Sequence, residues 1–95
     1  MRIIGIQLEP KDQVITLTRQ AEPGDKVCYI SQGISYEVTA AEKIPQYHKM
    51  ACKDITKSGK IYKYGNVIGM AVADIKAGAW VHVHNLKSIC LAEQG

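Results

Sequence analysis

The sequence predicts a small all-β domain with one or two short helical turns, and three observations support this. Apolar and β-branched residues recur with a period of two in several short segments, as in strands that bury one face. Clusters of Gly, Pro, Asp and Ser separate these segments, as expected for turns. No segment carries the sustained apolar stripe of an amphipathic helix. Many short strands at close spacing are typical of a sandwich, a barrel or a folded hairpin.

The predicted elements follow in chain order. Three strands are expected at Val14–Thr18, Lys26–Ile30 and Ile34–Ala40, with turns at Glu22–Asp25, Ser31–Gly33 and Lys57–Gly59. Gly65-Asn66 predicts a hairpin turn between two further strands, because this pair accepts the positive φ that tight hairpins need. The candidates for short helical turns are Ala41–Glu42 and Lys49–Asp54.

An internal repeat links two segments of the second half. Met50–Ile61 resembles Met70–Val81, and alignment of Gly59 with Gly78 makes the second copy one residue shorter between its Met and its Gly. Both copies contain Asp-Ile, then Gly, then the start of a strand, and Ala21–Val27 is a weaker third copy. The repeat predicts a pseudo-symmetric pair of β-loops folded on each other, because the spacing is too short for a solenoid.

Length, charge and cysteine content restrict the class of protein. Ninety-five residues suffice for one domain, which we expect to span 1–95, with little room for a deep cleft. The net charge is +3 and the basic residues are scattered, which disfavours nucleic acid as a partner. No apolar run is long enough to span a membrane, and three cysteines do not form a secreted disulfide framework, so we expect a cytoplasmic protein.

The segment Val81-His82-Val83-His84-Asn85 is the first candidate site. In a strand, His82 and His84 lie on one face and the two valines on the other. Two such imidazoles bind a metal ion if His48, Asp54 or Asp74 completes the site, or bind an anion when protonated. A solvent-exposed strand face is the plainer alternative, but Asn85 adds a hydrogen-bonding group that favours a functional site.

The second candidate is His48-Lys49, which follows Ile44-Pro45 and places two basic side chains next to each other. Such a pair suits a carboxylate ligand. The alternative, which the pair taken alone favours, is a turn-capping His48 and a solvated Lys49. Cys52, four residues after His48, has no obvious third group to orient it as a nucleophile, and Cys28 is expected in the core.

Residues Ile44 to Leu86 resemble the small N-terminal domain of altronate and galactarate dehydratases, a SAF-type domain. The matching motifs are Ile-Pro-x-x-His-Lys-x-Ala-x-x-Asp-Ile from Ile44, and Lys-Tyr-Gly-x-x-Ile-Gly-x-Ala-x-x-Asp-Ile-x-x-Gly-x-x-Val-His-Val-His-Asn from Lys63. Family members often carry Gly where this chain has Tyr47. The same module occurs as a separate small subunit, for example in sulfolactate sulfo-lyase.

The resemblance implies a β-clip fold and a role in hydro-lyase chemistry on sugar acids. It implies a large catalytic subunit or domain as partner, which holds a divalent metal ion (iron), while this chain alone is inactive. The substrate-binding residues implied are His48, Lys49, His82, His84 and Asn85, with no metal ligand and no assigned catalytic residue in this chain. The alternatives are a small subunit of a sulfolactate sulfo-lyase, a non-catalytic module that binds a carbohydrate or a protein, and a free-standing metal-binding protein.

Overall fold

The computed structural model describes residues 3–7, 9–63, 65–82 and 84–88, and this part of the chain forms nine strands and no helix. The all-β prediction is confirmed, but the predicted helical turns are wrong. Lys49–Ala51 is a strand because it pairs with strands on both sides, and Ala41–Glu42 is a bend. The strands are β1 Ile3–Ile6, β2 Val14–Leu17, β3 Lys26–Ser31, β4 Ile34–Thr39, β5 Lys49–Ala51, β6 Lys60–Lys63, β7 Asn66–Ala71, β8 Trp80–Val81 and β9 Leu86–Ser88.

The strands form two sheets. The larger has the order β4-β3-β1-β2-β5-β8, in which β1 and β3 are parallel and the other neighbours antiparallel. The smaller has the order β6-β7-β9. The hairpin predicted at Gly65-Asn66 is confirmed, because Lys63 pairs with Asn66 at the closed end of β6 and β7. Tyr64 lies outside the described residues.

Two apolar cores lie on opposite faces of the larger sheet. The neighbours Val14 and Ile15 are both buried, and each joins a different core, because successive strand residues point to opposite faces. We call the face of Ile15 the inner face and the face of Val14 the outer face. The smaller sheet covers one part of the outer face, where Ile61, Ala71 and Leu86 pack against Val14, Ala51 and Val81.

The rest of the outer face is open. Ile4 and Ile6 alternate with the buried positions of β1, and Ile30 lies on the same side of neighbouring β3. All three isoleucines are exposed, Ile30 to 66%. A groove of about 260 Å³ runs between Ile4, Cys28, Ile30 and Ser35. Cys28 was expected in the core, but it lies half-exposed on this open face because its position in β3 alternates with buried Val27 and Tyr29.

A ten-residue turn unit occurs four times in the described chain and connects the strands. A strand ends, an isolated bridge or its equivalent follows four residues later, a residue with positive φ comes three further on, and a new strand begins two residues after that. The N–H of each positive-φ residue donates to the carbonyl of a strand-end residue in another unit. The N–H of that strand-end residue donates in return to the carbonyl of the residue that follows the positive-φ residue. All of these bonds are 2.7–3.0 Å long. The strand-end residues are Leu17, Ala51 and Ala71, together with Ala40, which directly follows the last residue of β4, and the positive-φ residues are Gly24, Tyr47, Ser58 and Gly78.

The predicted pair of folded β-loops is confirmed. Ile55 and Ile75 exchange two backbone hydrogen bonds of 2.7 Å, and the carboxylates of Asp54 and Asp74 each accept a backbone N–H from the turn of the other loop. The alignment of Gly59 with Gly78 is wrong, because the bridge between Ile55 and Ile75 aligns Ser58 with Gly78, so the two copies have the same spacing. The first half contains a second such pair, joined by the bridge between residues 21 and 44.

Candidate functional site

Strand pairing brings the two candidate segments together. Met50 pairs with Trp80 and Lys49 with Val81, so the next residues outward, His48 and His82, leave the ends of neighbouring strands side by side. Their ring centroids are 5.1 Å apart. Thirty-four positions separate these two histidines in the sequence, and the β5–β8 ladder determines that they meet.

The strand predicted for Val81–Asn85 ends at Val81, so the expected alternation of faces is wrong. A turn hydrogen bond joins Asn85 to His82, because the N–H of Asn85 donates to the carbonyl of His82 over 3.0 Å. The side chain of Asn85 accepts the N–H of His82 over 2.9 Å and donates to the carbonyl of Trp80 over 2.8 Å. These bonds use backbone groups that a strand partner would otherwise need. Val83 lies outside the described residues.

The three histidines nevertheless gather around one side chain, the indole of Trp80. The ring of His82 stacks on it with a centroid distance of 5.2 Å and an interplanar angle of 7°. His84 lies against it at 5.3 Å in a tilted orientation. His48 accepts a hydrogen bond at Nδ1 from Trp80 Nε1–H over 3.2 Å. We call these four side chains the imidazole–indole cluster.

Trp80 was missed as a site residue by the sequence analysis. A signal for it exists, because Trp80 occupies the strand-start position of the fourth turn unit, where the other three units carry lysine. The equivalent residues are Lys26, Lys49 and Lys60. A single tryptophan that replaces a lysine in a repeat indicates a position with a different task.

Positive charge accumulates in this region. Partial loss of hydration lowers the pKa of His82, and the neighbouring basic groups His48, Lys49 and His84 lower it further. Burial lowers the pKa of Lys49, with a contribution from Lys63. Both shifts arise because these basic groups lose hydration and lie near one another, and a bound anion would oppose both effects.

The plainer alternatives of the sequence analysis are partly correct. His48 does lie in a turn, where its N–H donates to the carbonyl of Pro45 over 3.2 Å. Lys49 is half-buried, however, and is therefore not an ordinary solvated lysine. Asn85 stabilises the turn that carries His82, and its direct contact with a substrate stays a prediction.

Other candidate groups lie elsewhere. Asp54 and Asp74 bind turn amides and do not join the histidines. Burial raises the pKa of the Cys52 thiol, which lies in the inner core, and this disfavours the reactive thiolate. Within residues 3–7, 9–63, 65–82 and 84–88, no three His, Cys, Asp or Glu side chains are grouped to hold a metal ion. These residues therefore do not form a site for the divalent metal ion that the resemblance assigns to the large partner.

Tyr47 shows how the chain departs from the glycine common at this point. It adopts a φ of 66°, the left-handed region that glycine occupies in the first and fourth turn units. Its side chain is 71% exposed. The turn therefore keeps the glycine-like backbone, at the cost of strain, and still places His48 next to Trp80.

The fold and site define the class of this protein, a small all-β domain that presents a basic, aromatic cluster at the ends of two adjacent strands. A sequence profile described as "Altronate/galactarate dehydratase SAF domain" matches residues 3–89. The chain belongs to this family of SAF domains. The part of the chain that the structure describes contains no helix of the length and apolarity needed to cross a membrane.

Three curated relatives illustrate the similarity. Altronate dehydratase of Escherichia coli (strain K12) is 35% identical over 83 residues, which are 87% of this chain and 16% of that protein. Galactarate dehydratase (L-threo-forming) of the same organism is 52% identical over 40 residues, 42% of this chain and 8% of that protein. The (2R)-sulfolactate sulfo-lyase subunit alpha of Paracoccus pantotrophus is 36% identical over 58 residues, 61% of this chain and 87% of that protein. The chain thus spans about one sixth of the altronate dehydratase.

Proposed function

We propose that this chain is the small subunit or N-terminal domain of a sugar-acid dehydratase of the altronate/galactarate type, and that its imidazole–indole cluster and Lys49 bind the substrate carboxylate. The observation that carries this proposal is the approach of His48 to His82, with ring centroids 5.1 Å apart, next to the positive charge of Lys49, which lowers the pKa of His82. The names of the relatives support the type of substrate.

The chemistry of this reaction class explains why such a cluster is useful. A 2,3-dihydroxy carboxylate loses a proton from C2 and hydroxide from C3, which together make one water, and the resulting enol tautomerises to a 2-keto-3-deoxy acid. Removal of the C2 proton places negative charge on the carboxylate oxygens. Hydrogen-bond donors and cations next to those oxygens stabilise this charge. Lys49 supplies a fixed ammonium group, and the imidazoles supply N–H donors.

We further propose that the chain works with a larger catalytic partner and is inactive alone. Relatives of the dehydratase type devote most of their length to other parts of the protein. The open outer face supports this partner, because Ile6, Thr16 and Lys49 form one row across β1, β2 and β5. A catalytic domain that covers the exposed isoleucines would therefore also reach Lys49. We place the complex in the cytoplasm, as the cysteine content suggests.

The test is reconstitution with altronate and galactarate as substrates. The chain alone is expected to show no turnover, and addition of the large subunit encoded beside it restores activity. Turnover by the isolated chain would refute the partner proposal.

Lys49→Met tests the site, and Lys60→Met is its matched control. Lys60 occupies the equivalent repeat position but lies on the exposed surface. Loss of one charged hydrogen bond is worth about 1.5–3 kcal/mol, or roughly 10- to 150-fold in kcat/KM. Lys60→Met is expected to stay within about twofold of the unaltered protein. Equal effects of the two variants would show that Lys49 does not bind the substrate carboxylate.

A second candidate function is that of a sulfolactate sulfo-lyase small subunit. The specific observation is that the match covers 87% of the Paracoccus pantotrophus subunit alpha, far more than of any dehydratase named above. Sulfolactate also carries a carboxylate, so the same cluster would bind the substrate in both proposed functions. Sulfite release from (2R)-sulfolactate, with no turnover of either sugar acid, would select this alternative. Substrate affinity that is unchanged in a His82→Ala, His84→Ala double variant would favour a non-catalytic binding module.

A further inference from the structure

The hydrogen bond between Trp80 and His48 has a chemical direction. An indole N–H only donates, so His48 Nδ1, 3.2 Å away, must be the unprotonated, accepting nitrogen. In a neutral imidazole the proton then resides on Nε2. Protonation of both nitrogens would set two donors against each other. The hydrogen bond is therefore compatible with the Nε2–H tautomer of His48.

Trp80 is held in place by contacts of its backbone and of its ring. Its backbone N–H donates to the carboxylate of Glu42 over 3.1 Å, and its carbonyl accepts the amide of Asn85 over 2.8 Å. Its backbone pairs with Met50, and its ring stacks against His82. The donor that faces His48 is therefore fixed before any ligand binds, which is the condition for an effective positioning group.

We propose that Trp80 is a positioning residue that holds His48 as the neutral Nε2–H tautomer, so that His48 offers a hydrogen-bond donor, and not a positive charge, to the substrate. The tautomer follows from the chain alone, whereas its use in binding rests on the proposed function. Lys49 then supplies the permanent positive charge of the site. His48 and Lys49 are adjacent basic residues in the sequence, and the indole assigns them different tasks.

The first experiment removes the indole N–H alone. Trp80 is the only tryptophan of the chain, so replacing tryptophan with its benzothienyl isostere changes this one position and keeps the ring. In the unaltered chain, two-bond nitrogen–nitrogen coupling is expected between Trp80 Nε1 and His48 Nδ1, and the ¹⁵N spectrum shows a single Nε2–H tautomer. In the isostere chain the coupling disappears and His48 shows both tautomers. A protonated Nδ1 in the unaltered chain would overturn the proposal.

The second experiment tests the donor role in the assembled complex. The side-chain nitrogen of glutamine lies near the position of Nε2 of histidine, and that of asparagine near Nδ1. His48→Gln is expected to retain kcat/KM within about fivefold, whereas His48→Asn loses roughly 10- to 100-fold, mostly in KM. Equal losses in both variants would mean that His48 acts through its charge, and would overturn the donor role.

The two failures can be told apart. If the complex turns over none of the three substrates, the proposed function fails, while the coupling measured in the chain alone still establishes or refutes the tautomer. Backbone amide spectra of the isostere chain and of both His48 variants verify that the fold is intact.

Discussion

Gly78 and Gly24 occupy the same position in the fourth and first turn units, yet their replacement by alanine should have very different consequences. Both have positive φ, 97° and 91°. A Cβ on Gly24 meets nothing within 4 Å, whereas a Cβ on Gly78 overlaps the backbone carbonyl oxygen of Thr39 and approaches Ala41 N to 3.3 Å. Gly78 is also fixed by its own backbone hydrogen bonds to Ala51 and Ala41.

The magnitudes follow from these contacts. Left-handed backbone costs an alanine about 1–2 kcal/mol, and loss of glycine's freedom in the unfolded chain returns about 0.4–1 kcal/mol. Gly24→Ala should therefore lower the free energy of unfolding by roughly 1 kcal/mol. Gly78→Ala adds an overlap with backbone that cannot rotate away, about 1–3 kcal/mol more. At about 4–8 °C per kcal/mol, the expected losses in Tm are roughly 5 °C for Gly24→Ala and 10–25 °C for Gly78→Ala.

Thermal and urea unfolding, both followed by circular dichroism, measure this difference. The urea transitions should shift in midpoint at constant slope if both variants keep the same native state. Equal destabilisation would show that the crowding around Gly78 is not what distinguishes the two turns. Since Gly78 lies two residues before Trp80, its variant should also weaken the His48–Trp80 hydrogen bond, whereas Gly24→Ala leaves it unchanged.

Three further predictions concern the site and its turns. Tyr47→Gly should raise the free energy of unfolding by about 0.5–1 kcal/mol in urea titrations, because it relieves the strain at φ 66° and the lost side chain is exposed; a loss would indicate that the tyrosine ring contributes packing. Asn85→Ala should cost about 1–3 kcal/mol, since two hydrogen bonds of the 82–85 turn disappear, and Asn85→Asp, which keeps the acceptor, should cost less in the same assay. The lowered pKa of His82 means that the native state binds its proton less readily than the unfolded chain, so its contribution to stability is full above the ordinary histidine pKa and declines as pH falls towards the native pKa. Trp80 fluorescence, quenched by the stacked imidazolium, should titrate with a midpoint below that ordinary value, and a His82→Gln variant that keeps this titration would contradict the assignment.

The sequence by itself determined the β class and the main turns, and it identified the histidines that the structure brings together, but not Trp80. Short segments with a period of two can bury an apolar face only in a sheet, and Gly, Pro and Asp between them permit the reversals. Repeated Asp-Ile segments identified one pair of folded loops, because the two copies share residues as well as backbone. The second pair remained hidden because only the backbone conformation is repeated there: Tyr47 takes the left-handed position that glycine occupies elsewhere.

Only the tertiary structure decided how the site is arranged. Local pattern placed His82 and His84 on one strand face, but the side chain of Asn85 ends that strand, and the two rings meet across Trp80 instead. The approach of His48 to His82 depends on the register of β5 and β8, which is set by cores that involve residues from most of the chain. A hydrogen bond between side chains 32 positions apart leaves no local trace in a sequence, which is why the tautomer of His48 became apparent only in three dimensions.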